Sequence, residues 1–162
     1  MSCLVTYYSR SGRTARLGRA IADALRADVQ EIVSKRKFRG PWGFVAGAFQ
    51  AARGKTPKLE PLARDPGDYQ VVLIGTPVWA STMASPVRSF LAQNGKSIQK
   101  TAFFLTLGGT NPGRTFQEME RLTECKPLAT VTLRSREVKK ATVEQLQEAA
   151  GSLIQAVQSA DR

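Results

Sequence analysis

Histidine is absent from this chain, and cysteine occurs only twice, at Cys3 and Cys125. The first absence removes the commonest metal ligand and, with it, any Ser-His or Cys-His nucleophile pair. The second leaves no disulfide framework and no metal-ligand spacing, so a reducing cytoplasm is the expected compartment. Acidic residues are few beside basic ones, 13 against 24, giving a net charge of +11. Such a charge attracts phosphorylated ligands, nucleic acids, anionic membranes or acidic proteins without choosing among them. No apolar run approaches the roughly 20 residues of a transmembrane helix. The first residues run straight into an apolar strand, with no basic segment, long apolar core and cleavage site of a signal peptide. A soluble protein is the expectation. No internal repeat, low-complexity tract or second domain is visible.

What is present suits a single α/β domain over residues 1–162, with enough apolar chain, 42%, to bury a core. Cys3 to Tyr8 is β-prone and mostly apolar. Leu17, Ala20, Ile21, Ala24 and Leu25 then recur at helical spacing. Further strands are predicted at 29–33, 70–75, 101–107 and 128–133, with helices over 84–94, 113–124 and 142–158. Strands alternating with helices imply βαβ units and a parallel sheet. Apolar runs such as Val71-Val72-Leu73-Ile74 fit strands buried on both faces. Right-handed crossovers make the sheet doubly wound, with its ligand crevice beyond the carboxyl ends of the strands.

One stretch breaks the alternation. Residues 35–58 contain Lys35, Arg36, Lys37, Arg39, Arg53, Lys55 and Lys58 and no acid. Within this basic insertion a short helix over 42–53 places Val45, Ala48, Phe49 and Ala52 on one face. A second basic cluster, Arg134, Arg136, Lys139 and Lys140, reads as solvated surface on the opposite sheet edge.

Three loops carry the chemistry. The first, Ser9-Arg10-Ser11-Gly12-Arg13-Thr14, lies between a strand and a helix N-terminus, where backbone N–H groups are unpaired and the dipole favours an anion. Its hydroxyls, arginines and glycine compose a phosphate cradle. It matches neither the NTPase P-loop nor the dinucleotide fingerprint. The competing reading is a helix capped by one of those hydroxyls. The second loop follows Gly75 and runs Thr76-Pro77-Val78-Trp79. Its tryptophan can stack on a planar ligand or cap the core beneath the loop. The third, Thr106-Leu107-Gly108-Gly109-Thr110, pairs two glycines that permit close backbone approach, or forms an ordinary strand-to-helix turn. Together the three suit a ligand with one phosphate and a flat ring.

These motifs resemble those of the flavodoxin family. Ser9 to Thr14 is similar to the family's T/S-x-T/S-G-x-T loop, Thr76 to Trp79 to its aromatic second loop, and Thr106 to Thr110 to its third. The resemblance spans nearly the whole chain and departs from the family pattern at Thr6 and Gly18. It implies a three-layer flavodoxin-like sheet of order 2-1-3-4-5, with FMN as cofactor. The first loop would bind the phosphate, and the second and third would border the isoalloxazine.

The implied function is redox chemistry on FMN, with two forms. One is electron transfer between protein partners. The other is NAD(P)H-dependent reduction of a quinone or similar acceptor, which the basic charge favours because family carriers are typically acidic. No general acid or base is identified. Without histidine, proton delivery falls to solvent, tyrosine or backbone-bound water. The alternative is a non-catalytic module of the same fold that binds a polyanion, nucleic acid included, through segment 35–58. That segment can instead pack as a flap on the sheet edge, cover the flavin or form a homodimer contact.

Overall fold

A computed structural model describes residues 1–35, 40–109 and 111–160. Arg36, Lys37, Phe38 and Arg39 of the basic insertion, and Thr110 of the third loop, lie outside the described residues. The elements in order are β1 (Cys3–Tyr7), α1 (Arg13–Leu25), β2 (Asp28–Glu31), α2 (Gly40–Ala52), β3 (Val71–Trp79), β4 (Thr82–Met83), α3 (Ser85–Asn94), β5 (Thr101–Leu107), α4 (Thr115–Thr123), β6 (Thr130–Arg134), α5 (Ser135–Lys140), α6 (Val143–Ala149) and α7 (Gly151–Ser159).

Five strands pair in parallel in the order β2-β1-β3-β5-β6, and the two-residue β4 pairs antiparallel with the end of β3. With β4 set aside, this is the doubly wound order 2-1-3-4-5, in which the winding reverses between β1 and β3.

Side chains alternate between the two faces of a strand, and each central strand buries both. Cys3, Val5, Tyr7, Leu73 and Phe104 pack against Leu17 and Ile21 of α1, Val138 of α5, Leu146 of α6 and Val157 of α7. Leu4, Val72, Ile74, Phe103 and Leu105 pack on the other side, with Ala51 of α2, Phe90 and Leu91 of α3, and Met119 of α4. The edge strands are polar where they meet water: Asp28 and Glu31 on β2, Thr130 and Thr132 on β6. Thr6, one of the two departures from the family pattern, places in this core a buried hydroxyl without a hydrogen-bond partner among the described residues.

The other departure, Gly18, has a packing reason. A Cβ there would lie 2.5 Å from Tyr7 Cδ1 and 3.2 Å from Phe104 Cζ, and one at Gly75 would lie 2.1 Å from Phe104 Cε2. The Phe104 ring fills the space that both glycines leave. Gly18→Ala is therefore expected to overpack the helix–sheet contact at a cost of about 1–3 kcal/mol. Thermal denaturation followed by circular dichroism checks this, since ~1 kcal/mol moves the midpoint of a chain this size by about 2–4 °C. Tyr7 makes the closest approach, so Tyr7→Leu in the same background should restore more of the loss than Phe104→Leu.

Three local expectations change. The helix expected over 142–158 breaks at Ala150 into α6 and α7, and the short α5 precedes them. β3 runs on to Trp79 instead of ending at Gly75. The helix within the insertion forms over Gly40–Ala52 instead of 42–53, and its apolar face turns largely outward. Gly47 and Ala51 are buried, while Val45, Phe49 and Ala52 are exposed.

Candidate functional site

Strand register brings the loops together. Tyr7 pairs with Gly75, Pro77 with Thr106, and Leu107 with Arg134. The chain therefore leaves β1, β3, β5 and β6 at one edge of the sheet. A cavity of about 140 Å³ opens there. The first loop contributes Arg10, Ser11, Arg13 and Thr14, the end of β3 contributes Pro77, Val78 and Trp79, and Thr106 and Gly108 close the far side. Ser9 and Gly12 face a neighbouring depression beside Arg16 and Arg19. Thr76 and Leu107 are buried beneath the rim, and Gly109 is exposed. Sequence reasoning missed Ser135, which lines the cavity from the start of α5. Its position just after β6 on the same sheet edge was the available signal.

α1 begins without a side-chain cap. Its N-cap residue is Gly12, in the left-handed region at φ 82°, with no side-chain hydrogen bond to the first turn. Arg16 N donates to Gly12 O at 2.9 Å, the first backbone bond of the helix. The N–H groups of Arg13, Thr14 and Ala15 precede that ladder, at the positive end of the helix dipole. The hydroxyl-capped turn weighed above is thus not what forms. Ser9 Oγ is buried and has no partner among the described residues, and a buried hydroxyl left unpaired is costly. Thr14 and Thr106 pair hydroxyl to hydroxyl at 2.7 Å, both buried, and tie the first loop to the third. Gly108 and Gly109 have nothing within 4 Å of an added Cβ, so their backbone borders open space.

The second loop is a tight hairpin. Ala80 and Ser81 connect β3 to β4 with φ of 48° and 61°. Two successive left-handed residues give the twist a hairpin needs, at a cost for residues other than glycine. Neighbouring contacts hold it. Thr76 Oγ1 accepts from Ala84 N at 3.0 Å, and Arg114 N donates to Ser81 O at 3.1 Å. Gly113, itself at φ 61°, approaches so closely that a Cβ would lie 2.3 Å from Ser81 O. Thr82 Oγ1 donates to Glu118 Oε2, and Arg88 Nη2 reaches the same oxygen at 3.0 Å. Burial pushes the Glu118 carboxyl up, but the Thr82 hydroxyl, Arg88 and Arg114 outweigh it and hold the group below the ordinary carboxylate range.

Trp79 caps the core beneath the loop, the second of the two readings of the sequence, and it also lines the cavity. It is 5% exposed within the core, yet its edge lines the cavity. Tyr8 meets it edge-on, with centroids 5.5 Å apart and planes at 88°. Gly47 of α2 covers it, with an added Cβ only 2.9 Å from Trp79 Cζ3. The Tyr8 phenol is pushed up to about 12 by burial, with Glu31 adding to the rise and Arg10 opposing it. Among the described residues there is no group of three potential metal ligands, and no helix is long and apolar enough to cross a membrane.

No protein-family model matches the chain. Solved structures do resemble it. One is a flavoprotein from Lactobacillus acidophilus NCFM, crystallised in complex with FMN, with TM-score 0.69 and 24% identity over 86% of this chain and 97% of that one. A flavodoxin from the domain Archaea matches at TM-score 0.61 and 18% identity, over 100% of both chains. A WrbA-like flavodoxin from Agrobacterium tumefaciens matches at 0.59 and 16%, over 97% and 98%. The chain has the flavodoxin-like fold.

Proposed function

We propose that this protein binds FMN non-covalently in the cleft at the carboxyl ends of β1, β3 and β5 and serves as a flavodoxin-like redox protein. The observation that carries the reading is the uncapped start of α1 beside the unpartnered, buried Ser9 hydroxyl. Donors left unpaired by the protein itself fit an anion, and the bound ligand of the Lactobacillus flavoprotein is a phosphate-bearing flavin.

In this reading the amides of Arg13 to Ala15 and the hydroxyls of Ser9, Ser11 and Thr14 hold the phosphate. Gly12 keeps the turn free of a Cβ, and Arg10 and Arg13 add positive charge. At about 140 Å³ the enclosed space is below the roughly 300 Å³ of ordinary small-molecule pockets. It suits the phosphate end, with the ring lying outward along Thr76 to Trp79 on one side and Thr106 to Gly109 on the other. Bound FMN would supply hydride and single-electron chemistry. The chain's part is to orient the ring, exclude water with Trp79 and Tyr8, and present backbone amides to it. Tyr8, which supports Trp79 edge-on, keeps its proton at neutral pH.

The net charge of +11 supports reduction of a quinone-like acceptor by NAD(P)H, an anionic donor, over docking as an electron carrier. Purified protein should carry or take up FMN with micromolar affinity or better, with quenching of tryptophan emission. Turnover of NADPH and a quinone without a protein partner selects the reductase form. A folded protein that neither retains nor binds FMN overturns the reading.

A further inference from the structure

α2 turns its bulky apolar residues outward. Trp42, Val45 and Phe49 are 86%, 57% and 55% exposed. At 3.6 residues per turn these positions fall within about 60° of one another. The buried Gly47 and Ala51 occupy the opposite side. Of its described residues, Gly47 and Ala51 meet the protein, and the side chains of Trp42, Val45 and Phe49 face outside.

Charge surrounds that face. Lys35, Arg53, Lys55 and Lys58 are all exposed, and the Arg53 guanidinium lies 4.3 Å from the Phe49 ring centroid. The neck of the excursion is closed by a bridge between Ser34 and Leu59 and by Lys35 N donating to Lys58 O at 3.0 Å. Ser89 Oγ donates to Pro57 O at 2.7 Å and fixes the returning arm to α3. Beside the helix an open groove of about 710 Å³ is lined by Lys35, Phe49, Lys55, Pro57 and Lys58. No acidic residue occurs from 35 to 59.

We propose that α2 docks the protein on an anionic lipid bilayer. Trp42, Val45 and Phe49 enter the headgroup–acyl boundary, and Lys35, Arg53, Lys55 and Lys58 meet lipid phosphates. An amphipathic helix with aromatic anchors and flanking cations binds in this way, by apolar burial joined to attraction for anionic lipid. A second copy of the chain fits less well, because the like charges of Lys35, Arg53, Lys55 and Lys58 would face one another. A nucleic acid also fits less well: Val45 offers no ring for stacking, and Arg53 covers Phe49.

Flotation of the full chain with phosphatidylcholine–phosphatidylglycerol vesicles tests this against phosphatidylcholine alone. Binding should require the anionic lipid. Trp42→Ser with Phe49→Ser should lower partitioning by about tenfold or more, as should Lys55→Glu with Lys58→Glu. Brominated lipid gives a second measurement on the unaltered protein. It should quench the exposed Trp42 and spare the buried Trp79, the chain's other tryptophan. Failure to bind anionic vesicles, equal binding to both vesicle types, or absence of bromolipid quenching overturns the proposal. So does a tryptophan-dependent dimer, or a preference for an oligonucleotide over vesicles. The readout does not involve flavin, so it stands or falls separately from FMN binding.

Discussion

Thr14→Val should weaken FMN binding by one to two orders of magnitude while the protein stays folded. Valine keeps the shape and removes the hydroxyl. A hydrogen bond to a charged group contributes about 1.5–3 kcal/mol, or roughly tenfold to 150-fold in dissociation constant. Thr14 has two jobs to separate, because its Oγ1 also pairs with Thr106 Oγ1 at 2.7 Å. Thr106→Val breaks that pairing and leaves the Thr14 hydroxyl in place. If Thr14 contacts the phosphate, its replacement costs clearly more than that of Thr106. Equal losses would assign the effect to the link between the loops. No loss at either site would mean the phosphate lies elsewhere. Titration of apoprotein with FMN, followed by flavin fluorescence, reads all three cases.

The largest expected effect on stability is at Glu118. Its side chain is 16% exposed, and that of Arg88, its partner at 3.0 Å, is 11% exposed. Removing one member of a buried pair leaves the other charge uncompensated, at about 3–5 kcal/mol. Glu118→Ala should approach that range, measured by urea unfolding, and should loosen the hairpin that holds Trp79. The direction with pH follows from the depressed carboxyl. Its stabilising contribution is complete above the unfolded value of about 4.3 and is lost as pH falls through the lower folded value. The gap between native protein and variant should therefore be full at neutral pH and narrow in acid. A gap that widens on acidification would contradict the assigned ionisation.

The sheet was legible in the sequence because its central strands bury both faces. Val71 to Ile74 and Ala102 to Leu105 need no partner to announce themselves. The first loop was legible because hydroxyls, glycine and arginines crowd between a strand and a helix. The hairpin was not. Pro77 signals a strand end, and the continuation to Trp79 depends on pairing with Thr82 and Met83, on Glu118 and on the approach of Gly113, all distant or short-range tertiary features. The orientation of α2 was hidden for another reason. Periodicity locates an apolar stripe without saying whether it faces the core. Gly47 faces inward where Trp79 leaves no room for a Cβ. Ser135 escaped notice because α5, a helix of only six residues, leaves almost no periodic trace.

The aromatic wall beside the cleft also has an analytical consequence. Burial pushes the Tyr8 phenol, packed edge-on against Trp79, up to about 12, and the chain has no imidazole. A chromophore placed beside that edge would therefore be recorded without any imidazole titration superimposed on its own.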